Sequence, residues 1–193
     1  MAERITLKPI NTEAMVITIE GISPMIQHQW SDKAKQQMRD KKGGKKTKDR
    51  KACDPSAEAE AATYRTADGG YGVPVTAIKS AIVTAAHKDI GIEKTLVRKS
   101  LFIQCDDPGG ILSMVCSEPK LREDWVRYGM STTDLTYRPE FKEWEITFTV
   151  EYNADNLTPS DIVNLVDLAG FGVGIMEWRP EKGGELGLSL IHI

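Results

Sequence analysis

A mixed α+β domain is what this chain predicts, and three observations predict it. Residues 144–152, WEITFTVEY, alternate strictly: Trp144, Ile146, Phe148, Val150 and Tyr152 point one way, and Glu145, Thr147, Thr149 and Glu151 the other. That period of two is the mark of a half-buried strand. Residues 156–170, NLTPSDIVNLVDLAG, carry helix punctuation: Thr158 as cap, Pro159 in the first turn, Asp161 at capping-box spacing and Gly170 as stop. Directly after Pro74, the residues Val75, Ile78, Ile82 and Ala85 or Ala86 recur at helical spacing. With a first strand near the N-terminus and two strand-like runs mid-chain, the main elements run strand, helix, strand, strand, helix, strand. That is the order of a ferredoxin-like, RRM-type domain. Such a sheet has an open face able to hold RNA, although architecture alone licenses no function.

The elements follow in order. AMVITIEGI, residues 14–22, is the first strand, and Ser23 and Pro24 open a polar segment after it. Ser31 or Asp32 is placed to cap a short basic helix over SDKAKQQMRDKK. GGKKTKDRKACDPS is glycine-broken and poor in apolar residues, so it is expected to be mobile. AEAEAA reads as a brief helix. Residues 31–69 thus form one long basic insertion, and loops of that length inside a domain are usually functional or disordered. Pro74 fixes its own φ, pushes Val73 toward extended geometry and starts the helix over 75–88. SLFIQC and ILSMVC around DDPGG read as an extra β-hairpin. Residues 117–143 mix aromatic, basic and turn residues and read mostly as loop. VGIMEW, residues 173–178, is expected to be the last strand. The final LSLIHI, residues 188–193, resembles the translation of a transposon-end adapter used in sequencing libraries, so nothing functional is assigned to His192.

The bulk numbers fit one domain with room for an insertion: 193 residues, 40% hydrophobic and 27% charged. No apolar run approaches the roughly 20 residues that span a bilayer, and MAERITLKPINTE lacks the apolar core of a signal peptide. A cytoplasmic location and no membrane partner are expected. Cys53, Cys105 and Cys116 are far apart and form no C-x-x-C pair, which argues against a zinc ribbon or redox motif. The net charge of −3 hides an asymmetry. Residues 33–51 hold ten Lys or Arg against Asp40 and Asp49, a local +8, leaving −3 − 8 = −11 elsewhere. Phosphate contact depends on such local patches.

The stretch from Val73 to Val83 resembles the first-helix motif of the RAMP superfamily, the RNA-binding subunits of multi-subunit CRISPR effector complexes. Pro74, the hydroxyl residue Thr76, the aliphatic Ile78 and Lys79 match; Val75 and Ser80 replace the motif's glycines and Val83 its final arginine. Residues 170–187, GFGVGIMEWRPEKGGELG, hold six glycines and stand where the family carries a glycine-rich loop after its second helix. Ser23, Pro24, Gln27, His28 and Trp30 are similar to the segment following the family's first strand. YRPEF with Trp144 also resembles a motif of phage and prophage proteins. The resemblance spans about residues 15–187 and implies a compact, divergent, phage-encoded relative of the CRISPR backbone subunit, working in a bacterial host cell.

That resemblance implies a non-enzymatic protein that binds single-stranded guide-like RNA and, through it, complementary nucleic acid. It implies head-to-tail assembly along the RNA, an open helical arrangement. The expected RNA contacts are His28, Trp30, Lys41, Lys42, Lys45, Lys46, Lys79, Arg98, Lys99, Trp178, Arg179 and Lys182. The lysine beside a helix N-terminus and a glycine-rich backbone both suit phosphate, while Trp178 suits base stacking. Two other readings stand beside this one. A phage single-stranded DNA-binding or annealing protein would also use a basic groove and stacking aromatics. A RAMP-type RNA-processing endonuclease would use His28 as general acid or base. Asp106 and Asp107 precede Pro-Gly-Gly and read as turn residues. No P-loop, zincin motif or nucleophile elbow is present, so no cofactor or metal is expected.

Overall fold

A computed structural model describes residues 8–30, 36, 39–40, 42–43, 54–128 and 132–192. Ten strands and four α-helices form among the described residues. In chain order they are β1 (Thr12–Gly21), β2 (Met25–Ile26), α1 (Pro55–Ala61), β3 (Gly72–Pro74), α2 (Val75–Lys88), α3 (Lys94–Ser100), β4 (Leu101–Gln104), β5 (Ile111–Ser113), β6 (Val115–Cys116), β7 (Lys120–Tyr128), β8 (Thr132–Phe141), β9 (Trp144–Asn153), α4 (Pro159–Leu168) and β10 (Ser189–Ile191).

The main sheet is antiparallel and runs β10-β1-β9-β4, with β6 also paired to β9. The alternation in β9 works as the sequence predicts. Trp144, Ile146, Phe148, Val150 and Tyr152 are all buried, and with Ile17 and Ile19 of β1 they meet Ile78 and Ile82 of α2 and Ile162 and Leu165 of α4 in one core. Helix α4 starts as expected: Thr158 Oγ1 accepts from the Asp161 amide at 3.2 Å, and the Asp161 carboxylate accepts from the Thr158 amide at 2.8 Å. Helix α1 is capped by Asp54, whose carboxylate accepts from the Ser56 and Ala57 amides. Within the predicted insertion, residues 54–69 are thus built into the fold: Ala59, Ala62 and Thr63 are buried, and α1 packs on β8.

Four expectations are corrected. The runs around DDPGG do not pair with each other. β4 and β6 lie end to end along the same edge of β9, and β5 pairs instead with β3. The connecting turn is organised by Asp107, whose carboxylate accepts from the amides of Ala67, Gly109 and Ile111. The extra hairpin is instead β7–β8, within the stretch read as loop. Its inward face is charged, so it shows no apolar alternation: Asp124 bonds both Arg138 and Arg122, and Arg122 reaches Glu140 at 2.7 Å. Gly170 does not stop α4. A wider turn, Ala169–Val173, continues it to Gly174, whose amide donates to Ala169 O at 2.8 Å. There is no strand over VGIMEW; residues 189–191 take the sheet edge beside β1. Cys105 and Cys116 are half-buried, and Cys53 lies outside the described residues.

Candidate nucleic-acid interface

The first turns of α2 stand between two adjoining cavities. Pro74 caps the helix with extended backbone and offers no side-chain cap, as a proline-initiated helix must. One cavity, of about 300 Å³, lies between these turns, the segment after β2 and the glycine-rich loop; His28, Tyr64, Thr76, Ser80, Glu177 and Arg179 are among its lining residues. The other, of about 340 Å³, is lined by Thr76, Lys79, Ser80, Val83, Thr84, Lys94 and Arg98. Thr76 and Ser80 line both.

The two cavities differ in charge. No carboxylate lines the second, and Lys79, Lys94 and Arg98 have no salt-bridge partner among the described residues. The Lys79 ammonium sits 4.2 Å from the centroid of the Phe102 ring at the sheet edge, and burial lowers its pKa. In the first cavity, Arg179 is already committed. Its guanidinium donates to Met176 O at 2.7 Å and pairs with Glu181 at 2.9 Å. Burial pushes the Glu181 carboxyl up, but Arg179 and Lys88 more than offset this and hold it below its ordinary range. Burial, and then the neighbouring Glu177, raise the pKa of Tyr64.

The glycine-rich loop is folded tightly over this cavity. Gly187, with φ of 68°, lies so close to the chain that a Cβ there would sit 2.0 Å from Ile175 O. Met176 and Trp178 both take left-handed backbone, with φ of 66° and 56°. Such conformations are costly for non-glycine residues and concentrate at functional sites. They flank Glu177, whose amide is tied to Ile26 O at 3.2 Å.

Of the residues expected to touch RNA, His28 and Arg179 line the first cavity and Lys79 and Arg98 the second. Lys79 is directed toward Phe102 and α3. Trp178 is 44% exposed on the loop, and Trp30 is 55% exposed, but neither lines either of these two cavities; Lys99 and Lys182 are exposed outside both. Lys42 is exposed on a helical turn with Arg39 and Asp40, while Lys41, Lys45 and Lys46 lie outside the described residues. Lys94, Tyr64 and Glu177 were not anticipated. Lys94 was findable, since it stands four residues before Arg98 and therefore on the same helix face.

The open face of the main sheet, to which the element order points for RNA, is acidic. It presents Glu20, Glu145 and Glu151 among Val16, Thr18, Thr147, Thr149, Phe102 and Gln104, with no Lys or Arg at these positions. Like charge there disfavours phosphate. The cavity of Lys79, Lys94 and Arg98 is instead lined by α2 and α3. No helix among the described residues is long and apolar enough to cross a membrane, and none of their His, Cys, Asp and Glu side chains gather as a metal-binding group. No protein-family model matches the chain, and no curated protein is similar to it.

Proposed function

We propose that the protein binds single-stranded, guide-like RNA along the α2–α3 groove and assembles head to tail along that RNA, as a RAMP-type subunit. The observation that carries this reading is the cavity in which Lys79, Lys94 and Arg98 converge without a carboxylate. Three cations with no salt-bridge partner among the described residues, beside hydroxyls from Thr76, Ser80 and Thr84, suit a phosphodiester backbone, which is read as shape and charge. The sheet order β10-β1-β9-β4 supports the ferredoxin-like reading, because it sets the core strands in the order fourth, first, third, second. In this mechanism the subunit holds backbone and base pairing supplies sequence specificity. The basic segment 33–51 adds to the same electrostatic attraction. Binding, not bond cleavage, is the proposed activity.

The test begins with purified protein. An absorbance excess at 260 nm that RNase removes is expected, together with an assembly whose mass by light scattering grows with the length of added RNA. Equal assembly on single-stranded DNA would favour the single-strand DNA-binding alternative. A mass independent of RNA length would end the assembly reading. Metal-independent release of discrete RNA fragments, lost in His28→Ala, would replace binding with endonuclease chemistry.

A further inference from the structure

The first cavity has a chemistry the phosphate reading does not use. Its formally charged lining groups are Arg179, Glu177 and Glu181, and Arg179 and Glu181 already pair with each other. That leaves the Glu177 carboxylate, half-buried, with no hydrogen bond or salt bridge among the described residues. The His28 ring and the Tyr64 hydroxyl, which line the same cavity, likewise make no hydrogen bonds among the described residues. A net-anionic cavity disfavours phosphate and favours a group that brings N–H donors. Directly across Thr76 and Ser80 lies the cationic cavity. A nucleotide has this same polarity: a neutral base on one side, an anionic phosphate on the other.

The carboxylate also selects among bases. Guanine sets two donors side by side on its Watson–Crick edge, N1–H and the N2 amine, and a carboxylate accepts both at once. Adenine and cytosine place a ring-nitrogen acceptor beside their amine, and uracil flanks N3–H with two carbonyls; each of these acceptors would face the carboxylate's lone pairs. Unstacked bases of single strands are commonly read on that edge, between aromatic rings, and His28 and Tyr64 supply rings here. The backbone geometry at Met176 and Trp178 and the tie from the Glu177 amide to Ile26 O hold the main chain from which the Glu177 side chain springs.

We propose that this cavity binds one unstacked guanine base, with Glu177 accepting from N1–H and N2–H and the nucleotide's phosphate held by Lys79, Lys94 and Arg98. The source as a base within a strand rests on the RNA-binding reading above; a free guanine nucleotide offers the same chemistry.

The experiment compares fluorescently labelled uridine heptamers with a central guanosine, inosine, adenosine or uridine, and, separately, GMP against AMP by calorimetry. The guanosine heptamer should bind about tenfold tighter than the uridine heptamer, the scale of one good bidentate base contact. Inosine, which lacks the N2 amine, should fall between. Glu177→Gln and Glu177→Ala should erase the preference by weakening the guanosine heptamer, while the uridine heptamer, freed of the carboxylate's repulsion, binds at least as tightly as before; the melting temperature should hold, because that carboxylate makes no hydrogen bond or salt bridge among the described residues. Equal affinity for all four heptamers, each weakened by Lys79→Ala, overturns the base pocket and leaves the groove standing. GMP preference without heptamer binding keeps the pocket and removes the strand reading. Binding of neither heptamer nor GMP overturns both.

Discussion

Replacing Lys79, Lys94 and Arg98 together by glutamine separates phosphate contact from every other role of the groove. The three cations share one cavity, and none has a salt-bridge partner among the described residues. If each meets one phosphate, the triple variant loses roughly 0.7 per contact from the log–log salt slope of RNA binding, about 2 in all. Between about 50 and 200 mM salt, three such contacts account for about a twentyfold change in affinity, so wild type and variant should converge as salt rises. The cost to folding is small. Lys79 leaves its place over the Phe102 ring, a loss of about 0.5–1 kcal/mol for a partly exposed cation–π pair, and removing a charge that burial disfavours offsets part of it. Fluorescence anisotropy across a potassium chloride series, with a urea melt on each protein, reads both quantities. An unchanged salt slope beside a uniform drop in affinity would mean that the variant damages shape rather than phosphate contact. An unchanged affinity would remove RNA from this groove altogether.

Three further outcomes test the fold around the site. Gly170→Ala would bring a Cβ to 2.3 Å from Ser189 O, so it should destabilise by about 1–3 kcal/mol through overpacking; an unchanged urea midpoint would refute the seating of β10. Asp124→Ala strands the buried guanidinium of Arg138, which is 2% exposed, and should cost about 3–5 kcal/mol, whereas Asp124→Leu with Arg138→Met should recover most of it. A double variant no better than the single, by chemical denaturation, would sink that account. Hydrogen bonds from the Thr158 amide and hydroxyl hold the Asp161 carboxyl below its ordinary range. A depressed carboxylate adds stability that is present above its unfolded pKa and lost as pH falls through the folded one. Asp161→Asn should therefore be less stable than wild type at neutral pH, with the gap closing in acid; a constant gap from pH 7 to acid would argue against the cap's charge.

The sequence revealed the fold where burial leaves a periodic trace. β9 and α4 announce themselves because one face of each is apolar and their ends carry punctuation. The β7–β8 hairpin is silent because its inward positions are Arg122, Asp124, Arg138 and Glu140, which pair with one another within and across the strands and leave only Arg138 Nε among the described buried side-chain nitrogens and oxygens without a hydrogen bond. Pattern reading counts apolar residues and is blind to a charged interior that is paired. The last strand was misplaced for a different reason: VGIMEW has strand composition, but Met176 and Trp178 take left-handed backbone that only tertiary packing enforces. Of the residues lining the two candidate cavities, Lys79, Arg98, His28 and Arg179 could be singled out from motif and charge. Glu177 was not, because a lone carboxylate in a loop acquires meaning only from what stands opposite it.

The position of β1 has a kinetic consequence. It lies inside the sheet, between β9 and β10, and Ser23, just beyond its end, bonds Leu188 across 165 residues. β1 is therefore synthesised well before the strands on both of its sides. Contacts of such long separation slow folding, and until they form β1 exposes two unpaired edges to other chains. Yet the closure entropy of the intervening chain grows only with the logarithm of its length, about 0.6 kcal/mol per doubling. Of the chain between β1 and α2, only the stretches outside β2, α1 and β3 can consequently lengthen or shorten by many residues at little cost to stability, because those three elements carry buried residues of the fold.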